Sequence, residues 1–218
     1  MKIRTATDLT DRIAVERIWR IREIATLRDQ CNQMSIPENT RRILRRSFVP
    51  IVYAHWEGFV KKISHYYLEY IAMQRPILGE LSAPFQAMFL WNECAQSVSR
   101  GKAISLVQVC STASSRKDHQ ILLPYRDVIP THSNLDSKTL KDICLLLNIS
   151  YAPFESKALF IDSSLVSRRN HIAHGEFQDI DVADMELLKI EVLYLIDSFR
   201  NGVENAASLQ SHLNAPKP

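Results

Sequence analysis

Apolar residues spaced three and four apart recur along most of the chain, and that period predicts helices. From about Thr7 to Gln33, Ala14, Ile18, Ile21 and Ala25 mark one face, with Ile24, Leu27 and Cys31 beside it. Arg17, Arg20 and Glu23 cover the far side, so the segment reads as an amphipathic helix that Thr7 or Asp8 would cap. Gln33 to Pro37 breaks the pattern, and Ser35-Ile36-Pro37-Glu38 has the form of a capping box opening a second helix. That helix carries Arg41, Arg42, Arg45 and Arg46 before Pro50, where a kink or short break is expected. Beyond Pro50 lies the most apolar helix, with Val52, Trp56, Phe59, Ile63, Tyr66 and Tyr70 as the main wall of the core.

The middle of the chain is less regular. A helix is predicted from Phe85 to about Gln96, anchored by Phe85, Met88, Phe89 and Trp91. Residues 97–133 show no sustained period and read as a long connection, with ILLPYRDVI a short strand or an extended segment. Asp136 or Ser137 caps a helix to about Leu147, and a turn follows around Pro153. Another helix begins near Ser156 or Leu159, buries Ile161, Leu165 and Ile172, and ends at Gly175 in a left-handed conformation. From Asp181 to Ala207 one long helix carries Met185, Leu188, Val192, Leu195, Phe199 and Val203 as its core stripe. The pattern thus predicts one all-α domain over residues 1–207 and a loose tail over 208–218.

Composition narrows the function classes. Hydrophobic residues at 46% and charged residues at 23% are ordinary for a folded globular chain, and only 5 Gly among long periodic stretches favours helix. A net charge of +3 is too small to argue for nucleic acid by itself, so any basic footprint must be local. Cys31, Cys94, Cys110 and Cys144 are scattered with no CxxC pair, which suits free thiols in a reducing compartment. With no apolar leader at the N-terminus and no run of 18 apolar residues, a cytoplasmic protein without a membrane span is expected. Glycine-rich phosphate loops are absent, which disfavours P-loop and Rossmann chemistry.

The densest chemistry lies in Leu165 to Phe177, LVSRRNHIAHGEF. Arg169 can contact a phosphate bidentately, Asn170 can orient a neighbour by hydrogen bonds, and the His174 imidazole can take or give a proton near neutrality. These are parts for cleaving RNA without a metal or cofactor. On a regular helix Arg169 and His174 diverge by about 140°, so unwinding at Gly175 would have to swing the ring back. The spacing alone is weak: with 17 Arg and 7 His, chance supplies about half of one such match. A helix end decorated with cations that complement its dipole is the plain alternative. A metal site on His171, His174 and Glu176 lacks further ligands, and no cysteine is identified as a nucleophile. The Arg41, Arg42, Arg45, Arg46 run reads as a solvated helix face or, less commonly, an RNA-binding patch. His55 and His65 read as packing or surface residues.

The motif RNHIAH, late in an all-helical chain and followed by one long helix, resembles the HEPN superfamily, whose signature is Arg, a polar residue and a closing His in an Rx4–6H pattern. Phe48 to Val60, containing YAHWEGF, is similar to a helix of the MAE-type branch (RiboL-PSP/MAE-like), and Asn134-Leu135, ahead of the helix to Leu147, also resembles that branch. The resemblance spans roughly Thr40 to Ala206. It implies a helical bundle that forms a homodimer with a composite active site and metal-independent endoribonuclease activity. The setting it implies is toxin–antitoxin or another defence system, with RNA as substrate and an antitoxin or inhibitor protein as a further partner. Carried over, Arg169, Asn170 and His174 are the catalytic residues. Arg168, which makes an Rx5H with the same His174, is the alternative arginine, and His171, His55 and Glu57 are supporting candidates. Some HEPN proteins only bind a nucleotide, RNA or a partner, and that is the alternative reading.

Overall fold

The computed structural model describes residues 2–98, 103–129 and 134–214. Three long helices frame the fold: α1 (Ala6–Asn32), α2 (Glu38–Met73) and α8 (Val182–Ser208), each packed on the other two. Between α2 and α8 come α3 (Ala83–Val98), α4 (Ala103–Arg116), α5 (Ser137–Leu146), the short α6 (Ala152–Glu155), a wide-turn segment over Phe160–Ser167, and α7 (Arg168–Ala173). No strand occurs among the described residues, so the fold is all-α as expected. Ile77 and Gln120 form an isolated bridge, the Ile121 amide donates to the Pro76 carbonyl at 2.9 Å, and residues 121–129 form no strand.

Thr5 caps α1: its side chain accepts from the Asp8 amide while Asp8 accepts from the Thr5 amide, so Asp8 is the return partner and Thr7 plays no part. The buried face of α1 is rotated from the one the spacing suggested. Leu9, Ile13, Ile24 and Cys31 are buried and Ile18 is exposed. Arg20, expected on the polar side, lies in the buried line; Glu16 pairs with its guanidinium, which lies 4.2 Å from the Trp19 ring. An arginine whose charge is satisfied and whose stem packs on aromatics can occupy an inner position.

α2 runs 36 residues, about 54 Å, without the break expected at Pro50. Val49, Val52 and Tyr53, buried on both sides of the proline, hold the two halves against their neighbours, and that packing outweighs one missing amide. The Ser35 capping box does not form; Pro37 precedes the first helical residue with no side-chain cap. Val52, Trp56, Phe59 and Ile63 are fully buried, Tyr70 nearly so, and Tyr66 is half-buried with its hydroxyl donating to Glu16.

α3 confirms Phe85, Met88 and Phe89 as anchors, but Trp91 faces outward. α4 falls inside the predicted connection. Its Leu106 and Val107 are 65% and 66% exposed, so it adds little to the core, and it rests mainly on α3. The rest of the predicted connection includes residues 99–102 and 130–133, which lie outside the described residues.

Asp136 caps α5, and Asp181 with Asp184 forms a capping box on α8, whose predicted stripe is buried throughout. The expected loose tail is instead tied down as far as Asn214. The Ser82 amide donates to the His212 carbonyl (2.8 Å), the Asn214 amide donates to the Glu80 carbonyl (2.7 Å), and His212 is buried. Residues 215–218 lie outside the described residues.

Burial holds the pKa values of His55 and His212 below the ordinary 6.5. The folded chain therefore carries fewer protons on them than the unfolded chain, and stability falls as pH drops below about 6.5. A lower melting temperature at pH 5.5 than at pH 7.5 is expected. His212→Phe, which preserves the edge contacts to Tyr70 and Phe85, should remove part of that difference.

Candidate active site

The segment ahead of the motif is wound in wide i→i+5 turns over Phe160–Ser167, with Ile161, Leu165 and Val166 buried. Such turns insert extra residues into a helix and rephase the residues C-terminal to them; they are frequent at functional sites. Asp162 in this segment grips the start of α5, accepting from the Ser137 amide and hydroxyl, both at 2.7 Å. The loop just before α5 is thereby fixed beside α7. Leu135 is buried, and its amide donates to the Tyr53 hydroxyl at 2.6 Å.

These restraints converge on Arg169. Its Nη1 donates to Asn134 Oδ1 at 3.0 Å and to Asn170 Oδ1 at 2.6 Å, and the guanidinium lies 4.6 Å from the centre of the Tyr53 ring. Burial pushes the Tyr53 phenol up to about 12, so the ring stays neutral beneath the cation. A planar cation set over an aromatic ring and hydrogen-bonded to two fixed amide oxygens has little freedom to reorient. Arg168 turns to α8 instead and pairs with Asp184 at 2.8 Å.

His174 caps α7, and Gly175 follows at φ +83 as the left-handed residue expected there. The Gly175 amide donates to the Ile172 carbonyl and the Glu176 amide to the His171 carbonyl, a Schellman pair that stops the helix cleanly. His171 Nδ1 lies 2.5 Å from Glu176 Oε2 and braces the same turn. The His174 ring is exposed and makes no hydrogen bond, ion pair or ring contact with a described residue. The helix remains regular through Ala173, and the Asn170 carbonyl accepts from the His174 amide at 2.9 Å. Ending at Gly175 therefore does not swing the imidazole back onto Arg169. The arginine is anchored inward and the histidine projects outward.

The family model described as HEPN_MAE_28990:/-like HEPN matches residues 9–212. The chain belongs to this HEPN family. No curated protein matches the chain, and no solved structure does.

Within this HEPN chain the remaining candidates separate. Glu57 lies one turn from Tyr53 on the same face of α2, pairs with Lys61 at 2.6 Å, and helps raise the Tyr53 phenol. His55, two residues on from Tyr53 and about 200° around the helix, faces α1 instead. It stacks edge-on with Trp19 and lies 3.8 Å from Glu23, away from Arg169. The reading of His55 as a packing residue fits this position better than a place beside the motif. His65 likewise packs, with Nδ1 2.7 Å from the Tyr125 carbonyl oxygen. The arginine run also divides. Arg41 and Arg45 pair with Glu38 at 2.6 and 3.1 Å, while Arg42 reaches Asp179 just beyond the motif. Among the described residues no group of three or more His, Cys, Asp or Glu could hold a metal ion, and no helix is long and apolar enough to cross a membrane.

Sequence reasoning assigned no role to Tyr53, Asn134 or Asp162. Tyr53 and Asn134 lie in the two segments that carried the HEPN resemblance besides the motif, which was their only signal. Their convergence on one guanidinium joins positions far apart in the chain, and no local pattern encodes it.

Proposed function

We propose that this HEPN protein is a metal-independent endoribonuclease whose site is completed when two copies pair, bringing both motifs to one phosphate. The observation that carries this reading is the cradle of Tyr53, Asn134 and Asn170 around Arg169, beside an exposed and unengaged His174. Binding energy spent on orienting a cation in advance is what stabilising a charged transition state requires. His174 takes the proton of a ribose 2′-hydroxyl, and the 2′-oxygen attacks the adjacent phosphorus. The bond from phosphorus to the 5′-oxygen breaks, and the imidazole of the other copy protonates that leaving oxygen. Arg169 offsets the charge on the non-bridging oxygens, and the products are a 2′,3′-cyclic phosphate and a 5′-hydroxyl. Because Arg169 and His174 point apart in one chain, a second copy is the natural source of the missing partner, and a two-fold axis supplies both at once. Release of such an activity would arrest growth, so a toxin or defence effector restrained by an antitoxin or inhibitor is the biological setting we favour.

The test is single-stranded RNA cleavage in EDTA by wild type and His174→Ala, with the 3′ ends analysed. Cyclic phosphate ends from wild type alone are expected, and equal cleavage by both proteins sinks the assignment. A binding-only HEPN module is the second reading. It draws on the ion pairs Arg168–Asp184 and His171–Glu176, which commit part of the motif's charge to structure. It expects RNA binding without turnover.

A further inference from the structure

Tyr53, Arg46 and Arg42 lie seven and eleven residues apart on α2, within about 20° of one line along the helix. Arg46 is thus about 10 Å and Arg42 about 16 Å from Tyr53 along the axis. The chain that leaves Gly175 runs back beside this line. Asp179 meets Arg42 at 3.3 Å, and the Arg42 guanidinium lies 5.9 Å from the Phe177 ring centre. Together with Asn39, Arg46 and Gln178 these residues line a cleft of about 180 Å³. Phe177 is 68% exposed, so its ring does not serve the core, and it stands only three residues beyond His174. Arg46 makes no hydrogen bond or ion pair with any described residue. Arg41 and Arg45 lie roughly 100° around the helix, where Glu38 neutralises them.

An exposed aromatic ring flanked by guanidinium groups, in line with the catalytic arginine, is the chemistry that receives an unpaired base and its phosphate. We propose that Phe177 is the stacking platform for a base a few nucleotides from the scissile phosphate, and that Arg46, nearer the catalytic arginine, binds an intervening phosphate of the same single strand. Asp179 keeps Arg42 against the ring and turns anions toward Arg46. The proposal deepens the ribonuclease reading and rests on it for the direction of the strand.

The experiment measures binding of a fluorescent single-stranded RNA oligonucleotide to the full chain carrying His174→Ala, so that the RNA stays intact. Adding Phe177→Ala should weaken binding roughly tenfold or more, while Phe177→Trp retains it. Arg46→Gln should lower the slope of log affinity against log salt by about 0.7, the value for one phosphate on a single strand. Arg45→Gln should leave that slope unchanged. Affinities within twofold of the parent for both Phe177→Ala and Arg46→Gln overturn the subsite, as does a parent that binds no RNA. An equal loss for Phe177→Ala on an abasic oligonucleotide also overturns it, because stacking would then not be the cause. Failure of these arms leaves cleavage by wild type standing. Tight, Phe177-dependent binding by a wild type that never cleaves leaves the subsite standing and removes the nuclease.

Discussion

Arg169→Lys is expected to lower kcat for RNA cleavage by about 10²–10³, while leaving the fold intact. The guanidinium lies over the Tyr53 ring, 4.6 Å from its centre, and donates to two side-chain amide oxygens at once. An ammonium keeps the charge but cannot reproduce a planar fork that stacks and bonds at its edge together. The substitution therefore separates charge from geometry: if charge alone mattered, lysine would work. Single-turnover cleavage at saturating protein reads the chemical step, and the circular dichroism spectrum and melting temperature report the fold. Arg168→Lys is the internal control. Its partner is one carboxylate of Asp184, which an ammonium satisfies nearly as well, so its effect should be much smaller. Full activity in Arg169→Lys would mean that the cradle around this side chain serves packing and not the reaction.

Trp56→Ala is expected to cost about 3–5 kcal/mol of stability, a large share of the roughly 5–15 kcal/mol that holds a typical domain together. Trp56 is fully buried in the middle of α2, edge-on to Phe199 of α8 at 6.3 Å and tilted against Phe154 of α6 at 6.4 Å. Removing it opens a cavity where three elements meet, and long helices restrained by their neighbours cannot collapse to fill the space. Trp56→Phe should cost far less. The indole Nε1 is buried with no hydrogen-bond partner, so replacing it leaves no acceptor unsatisfied. Urea denaturation of the two variants against wild type measures both values. A loss below 1 kcal/mol for the alanine variant would contradict this packing.

Much of the fold was legible because it depends on repeated local signals. The α8 stripe from Met185 to Val203, the Asp136 cap and the left-handed Gly175 each occupy the place their sequence pattern indicates. Where the expectations missed, a tertiary contact had overridden a local preference. Pro50 sits inside a continuous helix because its neighbours are buried, and Arg20 turns inward because Glu16 and Trp19 receive it. α4 lies inside the predicted connection, and its Leu106 and Val107 face outward and do not join the core.

The candidate site divides the same way. Arg169, Asn170 and His174 are neighbours in the chain, so the motif and its helix-ending glycine could be recognised as a string. The direction each side chain takes depends on the wide turns of Phe160–Ser167 and on Tyr53 and Asn134, which come from other parts of the chain. Side-chain chemistry and helical period are properties of short stretches, and the sequence alone determined them. Orientation is a property of many distant contacts made at once. Only the folded chain decided that Arg169 would be clamped inward, His174 left facing solvent, and the arginines of α2 parted between a carboxylate and an open cleft.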